Sequence, residues 1–387
     1  MEEFVVKNKK KLRYGITTGT CGAAAAEAAA ELLILNVKKD IINVITPKGT
    51  VAEVPVKLCS EGKNKTEYMV IKDSGDDPDV TNNAEIHVSV EITDNIPEKA
   101  FKSEEYPNLY LDGGFGVGRV TKKGLEQSIG YAAINTVPRT MIFKAVGQVC
   151  SISEFNENLL ITVSVPKGRE LAEKTFNPRL GIEGGISILG TSGIIEPMSE
   201  RAIIDTIETE IKQLAALGRK SIIVTPGNYG RGYVSDYLKL DLSESIKCSN
   251  YIGETVDMAV YYGVKNFLLV GNAGKLVKTA AGIMNTHSKV ADGRGEIFAL
   301  HSMLRGADRK TATEIMECIN TDEMLEILER EKLREAVTES ILKKVKEHFR
   351  LRVGSSMKFG VMMFSEKFGF LGQTEGTEEV IENIRRM

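Results

Sequence analysis

The segment Asn266-Phe-Leu-Leu-Val-Gly-Asn-Ala-Gly-Lys275 (NFLLVGNAGK) decides the fold of the second half of the chain. Phe267 to Val270 is an unbroken apolar run, too short for a helix and closed by Gly271. That is the pattern of a strand buried on both faces. Upstream, Ser221-Ile-Ile-Val-Thr225 repeats it and runs into a turn at Pro226-Gly227-Asn228-Tyr229-Gly230. Helical patterns follow both, at Tyr251 to Tyr262 and from Lys275 onward. An amphipathic stretch, Ser199 to Leu217, precedes them and ends at Gly218. Strand, loop and helix in alternation predict a parallel α/β sheet of Rossmann-like type. Phe359 to Phe364 reads as one more strand, and Thr321 to Leu351 as one or two charged surface helices.

The first half has a different rhythm. Val51 to Val56 and Ile86 to Glu91 alternate apolar with polar, and Asn158 to Pro166 is another strand candidate. Helices are not regularly interleaved with these strands. The expectation is α/β overall, with an α+β domain over 1–190 and a parallel-sheet α/β domain over 191–387. The break is expected in the glycine-rich stretch GIEGGISILGTSGIIEPM, Gly181 to Met198.

The chain has 387 residues, 27 % of them charged, with a net charge of −3. A dedicated nucleic-acid binder would be basic, so that class is set aside. The basic amino-terminal residues are not followed by the apolar core of a signal peptide. The alanine-rich stretch after Cys21 carries Glu27 and Glu31 and reads as too short for a membrane span. Five scattered cysteines without a CxxC pair argue against a disulfide framework or a cysteine zinc site. A reducing cytoplasm is the natural setting, with no membrane partner and a homo-oligomer left open.

Several stretches could carry chemistry. Ligands of open parallel sheets bind at the carboxyl ends of strands. Thr225, Pro226, Gly227 and Asn228 stand at one such end, and Gly271, Gly274 and Lys275 at the other. The second loop is not a phosphate-binding loop of Walker type: Gly271 and Gly274 are too close, and Leu276 stands where a magnesium-holding hydroxyl would be. Asp73-Ser-Gly-Asp-Asp-Pro-Asp-Val-Thr81 is acidic and made rigid by Pro78. A solvated turn is the simpler reading; crowded like charges could instead raise one pKa and make Asp77 or Asp79 an acid or base. Gly113 to Gly124 combines glycines with Arg119, and Asn135-Thr-Val-Pro-Arg139 adds a second cationic turn, either of which could contact an anion. His287, in Asn285-Thr-His-Ser288, is a lone acid/base candidate. In Thr17-Thr-Gly-Thr-Cys-Gly22 the hydroxyls and backbone of Thr18, Gly19 and Thr20 open a helix, either as caps or as a seat for something anionic.

Taken together, these segments resemble the CbiD family, C-methyltransferases of the anaerobic cobalamin pathway. The matching stretches, in family order, are RYGITTGTCGAAAA (from Arg13), DSGDDPDVT (from Asp73), GVGRVTKKGL (from Gly116) and AINTVPR (from Ala133). FNPRLGIEGGISILGTSGI (from Phe176), TPGNYG (from Thr225), SNYIGE (from Ser249) and GKLVKTAAGIMNTHS (from Gly274) complete them. The sequence departs at Thr136, where the family usually has proline, and at Asn272, where it often has histidine.

The resemblance implies S-adenosylmethionine as methyl donor and a small-molecule corrinoid, cobalt-precorrin-5B, as substrate, methylated at C-1 to give cobalt-precorrin-6A. It also implies an unusual fold. Cobalt enters only as part of the substrate, so no protein metal site is inferred. On this reading Thr18, Gly19, Thr20, Arg119 and Arg139 would meet the carboxylate arms of the macrocycle. The glycine loops with Thr225 to Asn228, Gly271, Gly274 and Lys275 would hold the donor, and Asp77, Asp79 or His287 would move a ring proton. The competing readings are a non-catalytic corrinoid carrier and a nucleotide-binding, kinase-like enzyme.

Overall fold

A computed structural model describes residues 4–7, 9–227, 232–240 and 245–386. It divides the chain into two compact units, Met1–Glu200 and Arg201–Met387. The architecture is mixed α/β.

The first unit is built on a six-stranded sheet. Its spatial order is Lys57–Glu61, Lys65–Ile71, Glu85–Ile92, Leu159–Ser164, Leu109–Gly113, Phe101–Lys102. Only Leu109–Gly113 and Leu159–Ser164 run parallel; every other neighbour is antiparallel. One face carries Tyr68, Val70, Ile86, Val88, Val90, Leu111 and Ile161 into the core. The alanine-rich helix Thr18–Leu35 covers that face together with the helix Thr136–Ser153. Alanine is what allows this packing. Ala23 to Ala26 and Ala28 to Ala30 are all almost completely buried, and a methyl group lets helix and sheet backbones approach closely. Gly19 goes further: a Cβ there would come within 2.8 Å of the Pro138 ring.

The same helix corrects an expectation. At 18 residues it is long and apolar enough, by length and composition alone, to cross a membrane. Yet 72 % of it is buried inside the unit, and its place is that of a core helix.

The stretch Gly181 to Met198 is stitched into the first unit. Gly185 and Ile186 pair with Gly116 and Val117, and Ile194 and Ile195 pair with Ile16 and Gly15.

The second unit holds a five-stranded sheet in the order Ile246–Lys247, Ser221–Thr225, Asn266–Asn272, Lys358–Ser365, Gly369–Gln373. The first four strands are parallel and the last is antiparallel. The continuous apolar runs have a direct cause. Ile222, Val224, Phe267, Leu269, Phe359, Val361 and Met363 pack into a core on one face. Ile223, Leu268, Val270, Met362 and Phe364 pack with Val380 and Ile381 of the helix Thr377–Arg385 on the other. Both faces are covered, so the middle of each strand is apolar throughout. The charged segment after Thr321 is two helices, Thr321–Arg330 and Arg334–Val353, broken where Lys332 turns left-handed with φ 57°.

Candidate functional site

In the second unit the glycine-bearing turns stand side by side. Strand pairing of Ser221–Thr225 with Asn266–Asn272, and with Ile246–Lys247 on its other edge, brings three carboxyl ends together. Thr225 ends the first strand, completely buried, and its hydroxyl has no hydrogen-bond partner among the described residues. A buried orphan hydroxyl costs about 1–3 kcal/mol unless something satisfies it. A Cβ built on Gly227 would meet nothing within 4 Å among the described residues, so the backbone there is open to them. Gly271 is different: its Cβ would sit 3.1 Å from both Leu276 and Pro226, so this glycine serves packing. Asn228, the remaining member of the expected turn, lies outside the described residues.

Lys275 does not extend toward a ligand. Its ammonium donates to the carbonyls of Pro226 (3.1 Å) and Ser249 (3.4 Å), tying two loops together, and burial pulls its pKa below the ordinary lysine value. The helix it opens is only Ala273–Leu276, and the free N–H of Gly274 is taken by the Asn272 side chain at 2.8 Å. The Asn272 side chain thus takes one N–H of this helix start. Ser249, strained at φ 53°, joins this edge. Periodicity could not have marked it, because it lies in a loop.

His287 is exposed. Its Nδ1 accepts from the Lys289 N–H at 3.1 Å, so in the neutral ring the hydrogen sits on Nε2. Such a ring can donate a hydrogen bond at Nε2. Nearby, buried Lys278 donates to the Thr286 and Ala291 carbonyls and to Ser288, which holds the loop around His287 in shape.

In the first unit the quoted motifs converge. The acidic loop folds onto Arg13 to Ile16. Asp73 binds the Arg13 guanidinium with both oxygens (2.6 and 2.9 Å), Asp76 accepts the Arg13 N–H, and Ile16 donates to the Asp73 carbonyl. A Cβ on Gly15 would lie 2.1 Å from the Ser74 carbonyl carbon, so only glycine allows this contact. Asp77 accepts the Met198 N–H at 2.8 Å. Asp79 is turned inward: it binds Lys72, whose ammonium also meets Ser74 (2.8 Å) and Thr81 (2.7 Å). Burial alone would raise the Asp79 pKa, but Lys72 and the Thr81 hydrogen bonds hold it below the usual carboxylate value. That makes Asp79 a poor proton acceptor at neutral pH. The loop is an organised turn, neither a loose solvated one nor a crowd of repelling charges.

The opening helix is capped from within. Thr17 is the N-cap and accepts from the Thr20 N–H. Thr20 donates to the Gly193 carbonyl at 2.6 Å, and the Gly19 N–H goes to Leu189. Thr18 and Thr20 are buried. Of the two readings of this helix start, capping accounts for the Gly19 and Thr20 donors. Burial pushes the Cys21 thiol up to about 12, so this cysteine is a core residue.

The two expected arginines are likewise engaged. Arg119 holds Asp112 through two contacts (2.6 and 2.9 Å) and the Gly113 carbonyl through a third. Arg139 donates to Ile134 and Thr136 and lies over the Phe101 ring. What sequence reasoning missed is a cleft of about 460 Å³ beside the converging motifs. Ile16, Val51, Ala52, Met69, Ile71 and Ile194 form its apolar walls, and Arg13, Lys57, Glu53 and Asp73 line it as well. The signal was present in exposed Val51 and Ile71, apolar residues on strands.

Two family models match the chain, CbiD over residues 5–197 and the CbiD C-terminal domain over 285–375. The chain is a member of the CbiD family. A relative from Ruminiclostridium cellulolyticum, named cobalt-precorrin-5B C(1)-methyltransferase, is 47 % identical over 95 % of this chain and 92 % of its own length. One of the same name from Alkaliphilus metalliredigens is 38 % identical over 100 % of this chain and 98 % of its own. A crystal structure of a cobalamin biosynthesis protein (CbiD) from Archaeoglobus fulgidus aligns at 27 % identity, over 76 % of this chain and 88 % of that one, with a TM-score of 0.40.

Proposed function

We propose that the chain is a methyltransferase that methylates C-1 of cobalt-precorrin-5B in anaerobic cobalamin biosynthesis, with S-adenosylmethionine as donor. The carrying observation is the similarity along the full chain to relatives of that name. The donor supplies an electrophilic sulfonium methyl, and the conjugated macrocycle supplies the carbon nucleophile. The protein's task is to hold the two in line and exclude water.

We assign the donor to the second unit, whose parallel sheet we read as Rossmann-like. Open backbone at Gly227 and the orphan Thr225 hydroxyl fit a polar ligand at the strand ends; Lys275 and Gly271 shape the edge from behind. We assign the corrinoid to the cleft of the first unit. Its apolar walls suit a flat conjugated ring, and Lys57 suits a carboxylate arm, while Arg13 is held by Asp73. Thr18, Gly19, Thr20, Arg119 and Arg139 then act behind the surface. For proton movement Asp77 and His287 remain the candidates. Against a kinase-like reading stand Leu276 in place of a magnesium-holding hydroxyl and the hydrogen bonds of Lys275 to two carbonyls.

The test is mass spectrometry of cobalt-precorrin-5B incubated with protein and donor. A gain of one methyl is expected. Corrinoid that stays bound and unchanged would leave a carrier.

A further inference from the structure

On the sheet face of the first unit turned away from the two helices, three adjacent strands bring Cys59, Glu67 and His87 together. Their ligand atoms all lie within 4.8 Å of one another. The His87 Nδ1 sits 2.7 Å from a Glu67 oxygen, and Glu85 stands 3.6 Å from Nε2. The Nε2 atom is buried and makes no hydrogen bond. Cys59 is present because the strand is irregular. Leu58 pairs with Tyr68 and Ser60 with Glu67, which leaves Cys59 as the extra residue of a bulge. Bulges re-aim side chains and commonly do so at functional positions.

We propose that Cys59, Glu67 and His87 form a site for one borderline-soft divalent transition ion of the Zn²⁺ or Co²⁺ class, with Glu85 steadying the imidazole. Thiolate and imidazole favour such ions over Mg²⁺ or Ca²⁺, which take oxygen ligands. A tetrahedral ion with bonds of about 2.0–2.3 Å keeps its ligand atoms about 3.3–3.8 Å apart, so small side-chain adjustments close this cluster. Burial, with Glu67 and Glu85 adding negative charge, raises the Cys59 thiol pKa; a cation placed there reverses that and releases the thiol proton on binding. The site is independent of the donor edge and needs no turnover to be seen.

The experiment uses full-length protein with any tag removed, stripped by chelator and titrated with Co²⁺ while absorbance is followed. We expect one ion per chain, a thiolate-to-cobalt charge-transfer band, and its loss when Zn²⁺ is added. Cys59→Ser abolishes the band, His87→Ala weakens binding at least about tenfold, and Glu85→Gln weakens it up to about tenfold. Cys318→Ser changes nothing. Cys59 is exposed, so its variant should fold, and far-UV circular dichroism checks this. Absence of a stoichiometric band in the parent, or its survival in folded Cys59→Ser, overturns the proposal.

Discussion

Asp79 binds the ammonium of Lys72, a lysine whose side chain is 1 % exposed, and through it fixes the turn that carries the acidic motif. Removing one member of such a pair leaves the other charge stranded in the interior. Asp79→Asn should therefore cost about 3–5 kcal/mol, seen as a fall in the denaturant midpoint at unchanged slope. The carboxyl pKa is lowered on folding, so this stabilisation is full above the unfolded value and fades as pH falls through the folded one. Asp77→Asn should be nearly neutral in stability. If Asp77 moves the ring proton, single-turnover methyl transfer falls about a hundredfold with donor affinity kept.

Thr20→Val removes a buried donor from the Gly193 carbonyl. We expect about 1–3 kcal/mol of lost stability and unchanged corrinoid affinity, measured by titration on the folded fraction. Weaker corrinoid binding in a folded Thr20→Val protein would return this helix start to the substrate.

Much of this was legible in the sequence. The parallel strands announced themselves because apolar residues fill both faces, and Ser221–Thr225 ended where its run ended. The six-stranded sheet did not, since its parallel pair joins Leu109–Gly113 to a strand fifty residues later. Arg119 looked available for the same reason: Asp112 precedes it by seven residues, and only the folded turn makes them partners. Lys72 stands directly before the acidic motif, yet a single lysine beside four aspartates does not reveal that it is buried.

Thr225→Val tests the donor edge. The hydroxyl has no partner among the described residues, so the isosteric change should leave the melting temperature equal or slightly higher. Donor affinity measured by calorimetry should fall about fivefold, the worth of about 1 kcal/mol.

Lys57→Glu probes the cleft. Corrinoid affinity should fall about tenfold or more at low salt, and the difference should shrink as ionic strength rises. Donor affinity should not change. Equal corrinoid binding at every salt concentration would place the macrocycle elsewhere.

Glu27 provides a pH signature. Burial, with Glu31 adding to it, raises its pKa to about 7 from 4.5. Between those values the folded chain holds a proton that the unfolded chain has released, so stability falls as pH rises through that window. Glu27→Gln should gain about 1–2 kcal/mol at pH 8 relative to pH 5, after allowance for its partial exposure. Thermal melts at the two pH values measure it.

The hydrogen bond from Thr20 to Gly193 spans 173 residues, and this has a consequence during synthesis. The alanine-rich helix leaves the ribosome well before the loop that stoppers its start, which is made near the end of the first unit. At about 5–20 residues per second the nascent chain carries an uncovered apolar helix for roughly ten to thirty seconds. That interval is when holding chaperones have most to do, and chains stalled before Gly193 should be the form of this protein most prone to clump.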